Sequence, residues 1–111
     1  KYVNLPNGKN IEVVSSSKEN SNNICRLSSE DISFPLRVRT RMEGDKINIK
    51  GMLGSKKISD IFIDEKIPTH ERDIWPIVVD SNNVVVWIPG LKKSKFDKSK
   101  EEKYDIILKY Y

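Results

Sequence analysis

The sequence contains a single cysteine, a single histidine and no long run of hydrophobic residues. One cysteine cannot form an internal disulfide, which suits a reducing cytoplasmic setting. One Cys and one His are too few ligands for a closed zinc site. No apolar stretch approaches the roughly 20 residues that cross a bilayer, so we expect no membrane partner. These absences favour a cytoplasmic domain without a metal centre.

The N-terminal residues have neither an initiator methionine nor the apolar region of a signal peptide, so we expect the chain to be part of a longer protein. Its 111 residues suit one domain with one compact core. The hydrophobic fraction is low at 37% and the charged fraction is high at 32%. The β-branched and aromatic residues nevertheless cluster in runs, which predicts a folded domain rather than a disordered one.

The charge is unevenly distributed along the chain, although its net value is only +4. Residues 37–57 carry a net charge of +5 and residues 92–111 a net charge of +3, whereas residues 58–91 carry −4. Two basic segments therefore flank an acidic one. Such a distribution can attract a polyanion, but charge runs on small domains are more often simply solvated faces.

A strict alternation over residues 36–42 predicts a strand with two different faces. Leu36, Val38 and Met42 would lie on the core side. Arg37, Arg39 and Arg41 would be exposed on the other side. After a turn at Gly44-Asp45, a second strand around Ile47 and Ile49 would complete a hairpin with the first.

Helical spacing follows, with Ile58, Ile61 and Phe62 on one face, Ser55 as the N-cap and Pro68 beyond the end. A short helical turn is expected over 69–73. The apolar runs 77–79 and 84–88 predict a buried hairpin, and shorter strands are expected over 11–14, 24–27 and around 104–110. The predicted class is α+β: a single small domain of mostly antiparallel strands with one main inserted helix, and with Leu36, Val38, Ile61, Phe62, Val78 and Val86 in the core.

Several blocks between Leu36 and Ser94 occur in an order that resembles one protein family. They are PLRVRTR, GD, GSKKISDIFIDEKIP, RDIWPIVVD and VVVWIPGL with a serine three residues on. Together they are similar to the C-terminal domain of tRNA(Ile)-lysidine synthetases. The resemblance covers residues 36–111 as the core of the domain, whereas residues 1–35 are expected to be lead-in strands.

The resemblance implies a parent enzyme that uses ATP and Mg to activate the wobble cytidine of tRNA(Ile) and ligate lysine to it. That reaction belongs to a separate catalytic domain, whose Gly-rich nucleotide loop is absent here, since the sequence has no Gly-Gly pair. This chain itself is expected to have no catalytic residue and no cofactor. The implied fold is shared with a domain of the phenylalanyl-tRNA synthetase β-subunit. The implied partners are tRNA(Ile) on its acceptor-stem side, the catalytic domain of the parent chain and, because family members are often dimers, a second copy.

Arginine forks and lysine ammonium groups are suited to phosphate, so the candidate tRNA-binding residues are basic. Lys56 and Lys57 would lie in the first helical turn, where cations oppose the helix dipole unless a phosphate is bound there. The alternative is a Lys56–Asp60 pair on a solvated helix. The full candidate set is Arg37, Arg39, Arg41, Lys56, Lys57, Lys66, Arg72, Lys92 and Lys93.

Other residues support different chemistry only weakly. Trp75 and Trp87 could stack on bases, but their apolar neighbours favour positions in the core. Cys25 and His70 could suggest a nucleophile and a base, but no third residue is present to orient them. Two further interpretations remain open: a domain of a phenylalanyl-tRNA synthetase, and a structural module that docks on its parent enzyme without touching RNA.

Overall fold

The computed structural model describes residues 1–111 as ten short strands and two short helices, which confirms the predicted α+β class. The strands are β1 (Tyr2–Asn4), β2 (Asn10–Val14), β3 (Ile24–Leu27), β4 (Arg37–Arg39), β5 (Lys46–Ile47), β6 (Lys56–Lys57), β7 (Ile77–Val79), β8 (Val85–Ile88), β9 (Lys92–Lys93) and β10 (Ile106–Tyr110). The helices are α1 (Ile58–Asp64) and α2 (Thr69–Arg72), between β6 and β7.

The two ends of the chain meet in one antiparallel sheet of order β1-β2-β10-β3. The C-terminal strand β10 lies between β2 and β3 and pairs with both of them, for example through Leu108 opposite Val13 on one side and Cys25 on the other. The three N-terminal strands thus share one sheet with the C-terminal strand.

A second antiparallel sheet has the order β4-β7-β8-β9, and its centre is the predicted hairpin of β7 and β8. Successive residues of these strands point to opposite faces. Val78 and Trp87 lie in one hydrophobic cluster, whereas Ile77, Val79 and Ile88 lie in another. Both faces of the hairpin are therefore buried, which explains why its sequence is continuously apolar rather than alternating.

The two clusters define three layers. The sheet containing β10 covers one face of the central hairpin, through residues such as Leu27, Leu108 and Tyr110. Helix α1 and the small β5–β6 sheet cover the other face, with Ile47, Ile61 and Phe62 completely buried or nearly so.

The core predictions hold for four of the six residues. Ile61, Phe62, Val78 and Val86 are buried, whereas Leu36 and Val38 are only half-buried at the edge of the first cluster. Met42, placed on the core side by the alternation, is 55% exposed, because β4 ends at Arg39 and the chain then leaves the sheet.

The predicted hairpin between the arginine strand and the Ile47 strand is wrong. β4 pairs with β7, with Val38 opposite Val78, and β5 pairs with β6. Pairing with β7 places β4 against the central apolar hairpin. A two-stranded ribbon of β4 and β5 would leave β4 away from that apolar surface.

The pairing of β6 with β5 also changes where helix α1 begins. Lys57 occupies the N-cap position without a side-chain cap, and Ser55 lies outside.

Asp80 is a buried carboxylate that holds the turn between β7 and β8. Its Oδ1 accepts hydrogen bonds from the backbone N–H groups of Asn82 and Val84 at 2.9 and 3.0 Å, and its Oδ2 accepts one from Ser33 at 3.2 Å. The same side chain therefore ties the segment before β4 to the central hairpin.

We predict that Asp80→Ala lowers the free energy of unfolding by about 2–3 kcal/mol, because the backbone N–H groups of Ser33, Asn82 and Val84 lose a charged acceptor. Urea unfolding at neutral pH measures this change. Glu43→Ala is the control, since Glu43 is exposed and in no ion pair, and its effect should stay within about 0.5 kcal/mol. Equal effects of the two variants would contradict a structural role for Asp80.

Candidate nucleic-acid interface

The nine candidate cations lie on four parts of the fold: strand β4 and the turn after it, strand β6, the α1–α2 region and strand β9. They differ in whether a carboxylate already neutralises them. The four without an acidic partner within ion-pair distance are Arg37, Lys57, Lys66 and Arg72, and the five with one are Arg39, Arg41, Lys56, Lys92 and Lys93.

Arg39 is not the free, exposed cation that the alternation predicted. Its guanidinium binds Asp45 bidentately, with both N···O distances at 2.9 Å, and its side chain is only 13% exposed. Nε also donates to Asn83 Oδ1 at 3.0 Å, and Nη1 donates to the Thr40 carbonyl. This residue fixes the turn after β4 and has little capacity left for phosphate.

Burial of Asp45 opposes its ionisation, but the hydrogen bonds from Arg39 and from the Met42 backbone N–H, with the positive charge of Arg39, outweigh that burial and lower its pKa. A carboxylate held in this way stays charged at neutral pH. The Arg39–Asp45 pair is thus a stable part of the fold rather than a site awaiting an anion.

Arg41 is also engaged, whereas Arg37 remains available. Arg41 donates to Asp73 at 3.0 Å, and its guanidinium carbon lies 5.6 Å from the centroid of the Phe62 ring. Arg37 is exposed and makes one side-chain hydrogen bond, to Asn83 Oδ1 at 3.3 Å. The expectation of three exposed arginines on one face therefore holds only for Arg37.

Lys56 and Lys57 lie on a strand rather than in the first turn of the helix, because both residues pair with β5. The helix-dipole argument for a phosphate at this position therefore does not apply. Lys56 binds Asp64, not Asp60, and this hydrogen bond raises its pKa. Lys57 is exposed and has no acidic partner.

The remaining candidates divide in the same way. Lys93 is 13% exposed and lies 3.5 Å from the buried carboxylate of Asp97, so it belongs to the interior network. Lys92 approaches Glu65 at 3.7 Å. Arg72 donates from Nε to the Ile67 carbonyl, and Lys66 is exposed at a position with positive φ.

A polar groove of about 560 Å³ borders this region. Lys57 and Arg41 line it, but Glu43, Asp45 and Asp73 line it as well. Asp45 and Asp73 are already paired with Arg39 and Arg41, so Glu43 is the unpaired carboxylate of this lining. Lys57 is the lining cation without an acidic partner, so an anion at the groove is expected next to it.

Lys46 is a cation that the sequence argument missed. It is exposed, has no acidic partner and is the direct cross-strand partner of Lys57. The alternation of Lys46, Ile47, Asn48 and Ile49 could have identified it, since it places Lys46 on the side opposite the two isoleucines.

The two tryptophans, the cysteine and the histidine lie in different environments. Trp87 is fully buried and donates its Nε1–H to the Asn22 carbonyl, and Trp75 donates to the Pro89 carbonyl. Cys25 is buried, which raises the pKa of its thiol, whereas the His70 side chain is 81% exposed on α2.

No three His, Cys, Asp or Glu residues lie close enough together to hold a metal ion. Neither helix has the length and apolar character to cross a bilayer.

Comparison with known proteins gives a consistent result. The model of the TilS substrate C-terminal domain family matches residues 36–108. A tRNA(Ile)-lysidine synthase of Bacillus subtilis (strain 168) is 52% identical over 84% of this chain and 20% of its own length. The Bacillus licheniformis enzyme of the same name is 46% identical over 96% of this chain and 23% of its own length. The chain thus spans about a fifth of these relatives.

Solved structures agree with the sequence comparison. A crystal structure of a TILS C-terminal domain superposes with a TM-score of 0.89 at 41% identity, covering 99% of this chain and 88% of that one. An N-terminal fragment of the Pyrococcus horikoshii phenylalanyl-tRNA synthetase β-subunit gives a TM-score of 0.61 at 15% identity, covering 78% of this chain and 27% of that one. The second likeness shows a shared fold alone.

We predict that Asp45→Asn lowers stability by about 3 kcal/mol at pH 7, because it leaves the nearly buried Arg39 guanidinium without its counter-charge. The lowered pKa of Asp45 means that the stability from ionised Asp45 is present above the ordinary carboxyl pKa of about 4 and is lost as pH falls through the folded-state pKa. The free energy of unfolding, measured with urea from pH 7 to pH 3, should therefore fall less steeply for the variant than for the wild type. Glu43→Gln, at an exposed and unpaired position, should keep the wild-type slope. Identical slopes for Asp45→Asn and wild type would contradict the role of the pair.

Proposed function

The chain belongs to the TilS substrate C-terminal domain family, and on that basis we propose that it is a tRNA-binding accessory domain of a tRNA(Ile)-lysidine synthetase. In this proposal it holds tRNA(Ile) on its acceptor-stem side, away from the base that reacts. The observation that carries the proposal is the close relationship in sequence to tRNA(Ile)-lysidine synthases over most of the chain.

The distribution of unpaired cations supports phosphate binding. Arg37, Lys57, Lys66 and Arg72 have no carboxylate partner, so a phosphate would not have to displace one. The ion-paired candidates would each have to release an acid first, and we expect them to contribute less. A-form RNA hides its bases in a deep, narrow major groove, so contacts to the backbone and to overall shape suit an acceptor stem better than base reading does.

The chemistry in this proposal lies elsewhere in the parent enzyme. A separate catalytic domain would use ATP and Mg to activate the wobble cytidine and join lysine to it, and this domain would supply binding energy to the same tRNA. The residues described here support that division, because the only cysteine is buried and the only histidine is exposed on another element. The proposed setting is the cytoplasm, where tRNA is modified.

The competing interpretation is a docking module that contacts the parent enzyme but not RNA. It predicts no affinity for isolated tRNA, which makes the two interpretations separable by experiment. A role in a phenylalanyl-tRNA synthetase has weaker support, because the likeness to that protein is confined to the fold.

We predict that the 111-residue chain binds tRNA(Ile) and an unrelated tRNA with similar affinity, and that the affinity falls steeply with salt. Four phosphate contacts give a slope of log affinity against log salt of roughly −3 to −4, taking the per-phosphate coefficients for duplex and single-stranded nucleic acid as a guide. Filter binding over a salt series measures both quantities. Absence of binding at low salt would favour the docking module, and a strong preference for one tRNA would contradict recognition through the backbone.

We also predict that the chain alone gives only background signal in ATP–pyrophosphate exchange with tRNA and lysine present, since it has no phosphate-cradling loop and no activated nucleophile. The full-length enzyme is the positive control under the same conditions. Exchange above background by the 111-residue chain would show that it contains catalytic residues.

A further inference from the structure

Two lysines face each other across the β5–β6 ribbon without any acid between them. Lys46 is the direct Cα partner of Lys57, so both side chains lie on the same face of the ribbon. Both residues are exposed, and neither has a carboxylate within ion-pair distance. On the other face, Ile47 is buried in the second hydrophobic cluster.

This arrangement is unfavourable for folding by itself. Directly opposed side chains in an antiparallel pair have Cβ atoms about 5 Å apart, and like charges on such a pair are destabilising. The two other lysines of the same segment are each neutralised: Lys50 binds Asp97 at 2.7 Å, and Lys56 binds Asp64. The ribbon therefore concentrates its uncompensated charge at one cross-strand position.

We propose that Lys46 and Lys57 together form a phosphate clamp for the RNA backbone. This inference rests on the proposed function and deepens it by naming the contacting element and a residue, Lys46, outside the original candidate set. A phosphodiester bound between the two ammonium groups removes their mutual repulsion and receives charge-assisted hydrogen bonds from both. Because Ile47 is buried against α1, the ribbon backbone is fixed, and both lysines extend from neighbouring positions on one face before RNA arrives.

The adjoining polar groove sets the direction of approach. Of its three carboxylates, Asp45 and Asp73 are paired with Arg39 and Arg41 and Glu43 is unpaired, whereas Lys57 is its one cation without an acidic partner. An RNA strand is therefore expected to contact the Lys57 side of the groove and the outer face of the ribbon. Recognition of this kind reads the backbone and carries no base information.

A phosphate clamp and a purely structural lysine pair predict different effects when one lysine charge is removed, both on folding stability and on RNA affinity. Removing one of two repelling charges should leave folding unchanged or improve it. Removing a phosphate ligand should weaken RNA binding. Loss of affinity without loss of stability is thus the signature of the clamp.

The test uses Lys46→Gln, Lys57→Gln and their double variant in the 111-residue chain, with tRNA(Ile) as the probe. Each single change should flatten the salt slope by about 1 and the double change by about 2, which lowers affinity at 0.1 M salt by roughly 50-fold for the double variant. The midpoint of urea unfolding should be unchanged or higher. Lys103→Gln/Lys109→Gln is the control, because it removes the same net charge from two exposed lysines on other elements.

The outcomes separate the clamp from the proposed function. Wild-type binding with an unchanged slope in the Lys46/Lys57 double variant would overturn the clamp and leave tRNA binding by other residues intact. Equal losses in the double variant and the control would show only a general charge effect and would also overturn the clamp. A double variant that is both less stable and weaker in binding would make the pair structural. No binding by the wild type would overturn the proposed function and the clamp with it.

Discussion

The fold depends on a β-hairpin that is buried on both faces. Strands β7 and β8 contribute Val78 and Trp87 to one hydrophobic cluster and Ile77, Val79 and Ile88 to the other. A hairpin of this kind cannot exist alone in water, since either face left uncovered would expose large apolar area. One layer must come from the sheet that joins the two ends of the chain, and the other from α1 and the β5–β6 ribbon. The β5–β6 ribbon in turn fixes the positions of Lys46 and Lys57 on its outer face.

Charged side chains in this domain perform two different tasks. Arg39 and Arg41 bind Asp45 and Asp73, and the four hydrogen bonds of Arg39 leave it little further hydrogen-bonding capacity. Lys93 is likewise paired with buried Asp97. The candidate cations without an acidic partner keep their charge available for an anion, and the position of Lys57 opposite Lys46 distinguishes that pair from single solvated lysines.

In the proposed function, the unpaired cations are the residues that would meet RNA. A domain that binds only the backbone of a large RNA needs charge at a few fixed points rather than a shaped pocket. The Lys46–Lys57 pair, on a ribbon anchored through buried Ile47, would provide one such point. An unpaired carboxylate in the adjoining groove, Glu43, would disfavour phosphate close to it.

The sequence by itself determined the local elements and the family. The period-2 and helical spacings identified β2, β3, α1, α2 and the buried hairpin, because each signal is contained in a short window of residues. The order of the sequence blocks between Leu36 and Ser94 pointed to the tRNA(Ile)-lysidine synthetase domain, which the comparisons confirm. Only the tertiary structure decided strand partners: β4 joins β7 and β5 joins β6, since the choice depends on which apolar surface is available in space. It also decided which cations are free, because Arg39 and Asp45 are ordinary residues in sequence and become a bidentate pair only when the turn between them closes.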